Sequence, residues 1–207
     1  MKEKTVPPKS PREKAIEAIK AGKKEEAIQH VEDLYNSFKP LHDRYADMVS
    51  LLLIYVGKKL GEEAVYEATR FFMDEIYPPV IGKMGGLGYQ QLLEAVCRMH
   101  VAHYTQFHLV EDDEKMTVTI TGCRSGGGRL LGEGLPPLAK KEGITKKAWP
   151  WSFNRVGFPY YCVHAGPLND IFKAAGVPVE IKWGRQYDEK GNQIDEPCRY
   201  VIYKKKK

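Results

Sequence analysis

No Cys-x-x-Cys pair occurs in these 207 residues, and the glycine-rich stretches contain no Gly-Lys-Ser/Thr. The first absence excludes a standard zinc finger. The second excludes a P-loop, and no dinucleotide fingerprint opens a helix, so no nucleotide cofactor is expected. Long hydrophobic runs are also missing. The longest, 48–56, is broken by Ser50 and is far too short to span a bilayer, so no membrane partner is expected. The opening "MKEKTVPPKSPREK" lacks the apolar core of a signal peptide. A broad basic surface is lacking too. Lys204 to Lys207 supply four positive charges and the first 14 residues, five basic against two acidic, a further three, which together exceed the net charge of five. The body is near neutral, which argues against a nucleic-acid partner. Cysteines number four, at 97, 123, 162 and 198, widely spaced in a chain without an export signal. Reduced thiols in the cytoplasm are the expectation, with metal binding or catalysis ahead of a disulfide framework.

What is present divides by period. The first half repeats its apolar residues near every 3.6 positions. A helix ends at Gly22, a residue suited to a helix C-terminus. The next places Ala27, Ile28, Val31, Leu34, Tyr35 and Phe38 on one face and is expected to close at Pro40, forming an αα-hairpin. A third helix over 41–59 carries Leu41, Tyr45, Met48, Leu52 and Tyr55 in steps of three and four, which predicts the central, buried helix. A fourth over 61–77 is expected to stop at Pro78-Pro79, and a fifth spans 89–110. "GKKEEAI" at 22–28 resembles "GKKLGEEAV" at 57–65, but the likeness does not recur, so no solenoid is expected.

From Glu114 the period becomes two. "KMTVTIT" alternates Met116, Val118 and Ile120 with threonines, as a half-buried strand does. "PLNDIFKAAG" reads as a short helix, and 179–204 as two antiparallel strands turning at Lys190-Gly191-Asn192. The expected fold is α+β: a leader over 1–10, a helical domain of about five helices over 11–112, a small cysteine-containing antiparallel α+β domain over 113–203, and a basic tail. Between strand and helix lies a long Gly-, Pro- and Trp-rich segment, 122–161, of the kind that often carries function.

Four groups of residues could do chemistry. Cys123, Cys162, His164 and Cys198 fall at predicted strand and helix ends and form a tetrahedral ligand set of the type that holds zinc or iron. Three of them with an open position would make a catalytic centre. Alternatively Cys162 or Cys123 could be a thiolate nucleophile with His164 or another histidine as base, and Cys162 immediately precedes a predicted helix, whose N-terminus lowers a thiol pKa. The loop "GCRSGGGRLLGEG" offers Arg124, Ser125 and Arg129 to a small anionic molecule. His100 and His103 fall on the apolar stripe of the fifth helix, and His42 on the third, where inward imidazoles need partners or shifted pKa values. Finally, Trp149, Trp151, Phe153, Phe158, Tyr160 and Tyr161 could wall an apolar pocket.

The order of a helical half, a strand ending in "GCRSGGGRL", then "FPYYCVH", a short helix and "AAGVP" resembles the L-2-amino-thiazoline-4-carboxylate hydrolase-like family over about the last 100 residues. That resemblance implies hydrolytic opening of a sulfur-containing ring, with Ala165 standing where that family often carries a further cysteine. The resulting expectation is a small-molecule hydrolase, or related C–N/C–S bond-cleaving enzyme. Cys162 and His164 sit at its centre, His100 and His42 supply acid–base function, and Trp151 and Tyr161 with the loop arginines hold the substrate. The competing expectation is a non-catalytic ligand-binding or sensing module with a structural zinc site. A homo-oligomer is compatible with either. A partner-binding helical scaffold would differ from both by carrying an apolar patch outside the core.

Overall fold

A computed structural model of the chain describes residues 9–123, 127–128, 141–184 and 197–204. The chain divides into two compact units, Met1–Tyr45 and Ala46–Lys207. In the first, helix α1 (Pro11–Lys20) begins at a capping box: the Ser10 hydroxyl accepts the Glu13 N–H, and the Glu13 carboxylate accepts the Ser10 N–H. Its inward residues are small, Ala15 and Ala18, as is Ala27 on the next helix. The joint between them turns at Gly22, whose φ of 70° suits a residue without Cβ.

Helix α2 runs unbroken from Lys24 to Leu60, so the expected stop at Pro40 does not occur. Pro40 and Asn36 are both exposed, and the carbonyl that proline leaves without a helical donor can be served by water. Helix α3 (Glu62–Gly82) likewise passes through Pro78 and Pro79, both exposed, and is anchored beyond them by buried Ile81. The look-alike segments at 22–28 and 57–65 thus mark two helix–helix joints, the second turning at Gly61 with φ 94°.

The larger correction concerns which side of α2 faces inward. Leu41, Tyr45, Met48, Leu52 and Tyr55, expected in the core, are all exposed, while Ala46, Ser50 and Ile54 are buried. The Ser50 hydroxyl is satisfied locally, donating to the Ala46 carbonyl at 2.8 Å.

Helix α4 (Tyr89–Ala102) ends a full two turns before the predicted 110. Its last carbonyls are taken by His103, Tyr104 and Thr105 N–H groups, and Tyr104 adopts a left-handed φ of 52°. The chain reverses there into strand β1 (Gln106–Glu111), so the sheet starts inside a stretch read as helix. Strand β2 (Lys115–Gly122) follows, then a 3₁₀ turn at Pro150–Ser152, another at Tyr160–His164, helix α5 (Ala165–Ala174), β3 (Val179–Lys182) and β4 (Arg199–Tyr203). The expected turn at 190–192 lies outside the described residues. The antiparallel pairing of β3 with β4 is present.

The fold is α+β: helices first, then a four-stranded antiparallel sheet in the order β1-β2-β4-β3. Met116, Val118 and Ile120 are buried as their alternation predicts, and Val118 pairs with Tyr200, which in turn pairs with Ile181. Leu92 and Val96 of α4 and Leu168, Ile171 and Phe172 of α5 join these residues in one buried cluster, and His100 of α4 is buried against Tyr200. The free edge of β3 is served by a side chain. Asn169 accepts the Ile181 N–H at 2.7 Å and donates to the Ile181 carbonyl at 2.9 Å, as a neighbouring strand would. Arg70 ties α3 to α5, bonding Asp74 and Asp170, each at 2.7 Å.

Candidate functional site

The turn Tyr160–His164 decides how "PYYCVHAG" is presented. In a 3₁₀ helix each turn holds three residues, so side chains three apart stack and those two apart diverge by about 120°. Tyr161 and His164 accordingly meet, with ring centroids 5.7 Å apart at 82°. Cys162 and His164, two apart, do not share a face. An extended segment would have aligned them, which is why the spacing suggested a pair. The His164 Nδ1–H donates to the Tyr161 carbonyl at 2.6 Å, which leaves Nε2 with the lone pair. Burial holds His164 below the usual imidazole range, partly offset by that hydrogen bond.

Cys162 turns instead toward the glycine-rich loop. A Cβ placed on Gly127 would collide with Cys162 Sγ, and one on Gly128 would collide with the Cys123 carbonyl. Two consecutive glycines therefore let backbone lie directly on Cys123 and Cys162. The loop's other named residues, Arg124, Ser125 and Arg129, lie outside the described residues.

Three phenols complete this neighbourhood. Tyr161 is pushed up to about 12, first by burial and then by the nearby Cys162 thiol, Tyr77 and Cys123. Tyr200 is raised further, by burial and by Cys198, Cys123, Cys162 and Tyr77 in that order. Tyr77 is raised by burial alone. All three stay protonated at neutral pH, so each keeps an O–H that can donate. Sequence reasoning passed over Tyr200 and Tyr77. The available signal was position alone: Tyr200 stands two residues after Cys198, which in an extended chain puts both side chains on one face.

His100 lies behind Tyr200. Its ring meets the Tyr200 ring edge-on at 4.4 Å and the Phe107 ring at 5.8 Å. It is 7% exposed, and its Nε2 has no hydrogen-bond partner among the described residues. Burial, with His103 contributing, lowers its pKa to about 4. His42 belongs to the first unit, where its Nδ1 lies 3.2 Å from Asp43.

The four cysteines are partly buried, and none is in a disulfide. Among the described residues no three of His, Cys, Asp and Glu are grouped as metal ligands. Cys198 packs against both apolar clusters of the second unit, and Cys162 against the one formed by Ile54, Val65, Phe158, Tyr160, Val163 and Trp183.

The aromatic segment separates into two roles. Phe158 is wholly buried. Trp151 is sandwiched between Tyr66 at 5.8 Å and Trp149 at 5.6 Å, both nearly parallel. Trp149 lines a cavity of about 410 Å³ together with Lys58, Glu62, Lys147 and Tyr160. Glu62 gathers donors there: Trp149 Nε1–H at 2.6 Å, the Tyr160 hydroxyl at 3.3 Å and the Lys146 N–H. Glu62 was not singled out in the sequence, being one acid among many at a helix start.

No helix among the described residues is long and apolar enough to cross a membrane. No family model, curated protein or solved structure matches the chain.

Proposed function

We propose that the chain is a cytoplasmic, cysteine-dependent enzyme that hydrolyses a C–N or C–S bond in a small anionic molecule, with Cys162 as nucleophile. The observation that carries this reading is the packing of Cys162 Sγ against the Gly127 backbone, beside Tyr161 and Tyr200 held as neutral phenols. The Cys162 thiolate attacks the electrophilic carbon, and the displaced electron pair moves onto the attached heteroatom. Phenol O–H groups already in place donate to that developing negative charge, the kind of preorganised stabilisation that most lowers a barrier. Collapse breaks the C–N or C–S bond and expels the nitrogen or sulfur group with the proton that the Cys162 thiol gave up on ionising; water then gives its hydroxyl to the carbon and its other proton to Cys162, restoring the thiol.

The 3₁₀ turn gives His164 a supporting part, holding Tyr161 by its carbonyl and ring. His100 serves as a positioning residue through Tyr200. Arg124, Ser125 and Arg129 keep the role of binding the substrate's anionic group. The resemblance to amino-thiazoline-carboxylate hydrolases suggests five-membered C–N/C–S ring carboxylates as the substrate class. The test is turnover of 2-amino-thiazoline-4-carboxylate and related ring carboxylates by the wild type and by Cys162→Ser. Ring opening by the wild type, reduced to background in a variant with unchanged melting, is the expected result. Wild-type rates in Cys162→Ser would remove Cys162 from the chemistry.

One observation favours a second reading, a binding module knotted by zinc or iron. Cys123, Cys162 and Cys198 all act on Tyr200. Adding His164 to their set requires the 3₁₀ turn to re-form, because its side chain diverges from that of Cys162. About one metal ion per chain by elemental analysis, with loss of the fold on chelation, would favour this reading.

A further inference from the structure

One buried donor of the second unit goes unused. Trp183 is 7% exposed, and its Nε1–H has no hydrogen-bond partner among the described residues. Buried N–H groups are nearly always paired, so an unpaired one calls for a reason. Trp149 shows the ordinary outcome, its Nε1–H donating to Glu62. A trapped water does not supply the acceptor, because it needs roughly two to four polar partners and Trp183 is buried among Ile54, Val65, Phe158 and Val163. We propose that Trp183 and Arg155 form a carboxylate-binding pair beside the cysteines. That the carboxylate belongs to a substrate rests on the hydrolase reading above; that the pair binds one does not.

The register of the sheet gives the position. Strands β3 and β4 pair Ile181 with Tyr200 and Lys182 with Arg199. One step further Trp183 stands opposite Cys198, and residues opposite each other in an antiparallel pair share a face. Trp183 is therefore on the buried face that carries Ile181 and Tyr200. On the other side of β4 the Cys198 carbonyl accepts the Ile120 N–H at 2.9 Å, so the sheet continues to that point. Cys162 packs against the same cluster as Trp183.

Arg155 supplies the charge. Its guanidinium carbon lies 5.5 Å from the centre of the Trp183 ring. The side chain is partly buried, so the pair joins a permanent charge that reaches solvent to a donor that does not. The backbone is held for this placement. Phe153 and Asn154, just before it, both take left-handed φ values, 55° and 56°, which a bulky Phe rarely adopts. The Arg155 carbonyl then accepts two hydroxyls, Ser152 at 2.8 Å and Thr145 at 3.1 Å, both at most 1% exposed. Backbone strain persists only where such surroundings over-determine it. One guanidinium and one indole N–H match the two oxygens of a planar carboxylate, whereas a phosphate would leave charged oxygen among apolar side chains.

The experiment is a titration of the ¹⁵N-labelled full-length chain, followed by the indole N–H signals of its three tryptophans, with Trp183→Phe assigning one. The probes are 2-amino-thiazoline-4-carboxylate and 2-amino-thiazoline, the same ring without the carboxylate, added to wild type and to Cys162→Ser. The expected result is a saturable downfield shift of the Trp183 signal with the carboxylate alone, the same in Cys162→Ser, and with an affinity about tenfold lower in Arg155→Gln. Should Trp183→Phe unfold, Trp149→Phe and Trp151→Phe assign the signal by elimination. A Trp183 signal that neither probe moves, or that both move alike, overturns the proposal. So does an Arg155→Gln chain with wild-type affinity. The two readings fail separately: a shift without turnover keeps the pair and removes the hydrolase, and Cys162-dependent turnover without a shift does the reverse.

Discussion

Tyr200 meets His100 edge-on at 4.4 Å, so the strand that follows Cys198 and the helix bearing the buried imidazole touch through an aromatic contact. Cys198, Cys123 and Cys162 also act electrostatically on the Tyr200 phenol. A neutral imidazole and neutral phenols thus back a cluster of thiols, an arrangement in which protons are held and hydrogen bonds are donated.

Stability should fall in acid through His100. Its pKa is about 4 in the folded chain and near 6.5 in the unfolded one, so the unfolded chain binds more protons between those values. Stability is therefore full above pH 6.5 and is lost as pH falls toward 4. At pH 4.5 the loss from this group is on the order of 2 to 3 kcal/mol. His164, lowered in the same direction, adds to it. Chemical denaturation at pH 7 and 4.5 should show a smaller drop in His100→Phe than in the wild type. Equal drops would show that His100 does not titrate as its burial demands.

Gly127→Ala inserts a Cβ where Cys162 Sγ now lies. The thiol or the loop must move, and turnover should fall with Cys162 still present. Melting should change little compared with Cys162→Ala, since residue 127 itself buries no side chain. A Gly127→Ala enzyme with the wild-type rate would separate the loop from the thiol.

Asn169→Ala removes both hydrogen bonds that close the β3 edge. Ile181 is 3% exposed, so its N–H and carbonyl lose partners where water reaches poorly. The expected cost is about 2 kcal/mol, read as a lower denaturation midpoint with an unchanged slope. A change below about 0.5 kcal/mol, the usual level of a surface substitution, would show that water replaces the amide.

The sheet was legible because alternation in "KMTVTIT" states its own geometry: every second side chain is apolar, and a strand sends those to one side. Helix α5 was legible for the same kind of reason. Periodicity in α2 revealed which side chains share a face but not which face is inside, and here small Ala46 and Ser50 turn inward while Tyr45 and Leu52 turn out. Prolines 40, 78 and 79 were read as stops because their cost is local and visible, whereas solvent exposure of the orphaned carbonyls is not. Cysteines 123, 162 and 198 each act electrostatically on Tyr200, but the pairing of Cys162 with His164 depended on an extended backbone that a 3₁₀ turn replaces. Tyr200 stayed hidden because Tyr200, Val201 and Ile202 are all buried, and a strand covered on both faces shows no alternation.

The central claim is that Cys162 is the reactive thiol, and competitive alkylation tests it without knowledge of the substrate. The native chain is treated with limiting iodoacetamide at pH 7, and each cysteine is quantified by peptide mass mapping. Cys97 is an internal reference, because burial raises its pKa and slows its reaction. The account predicts that Cys162 is modified first, well ahead of Cys97, Cys123 and Cys198, and that Gly127→Ala abolishes that lead. Modification of Cys162 at the pace of Cys97, or only after unfolding, would contradict it.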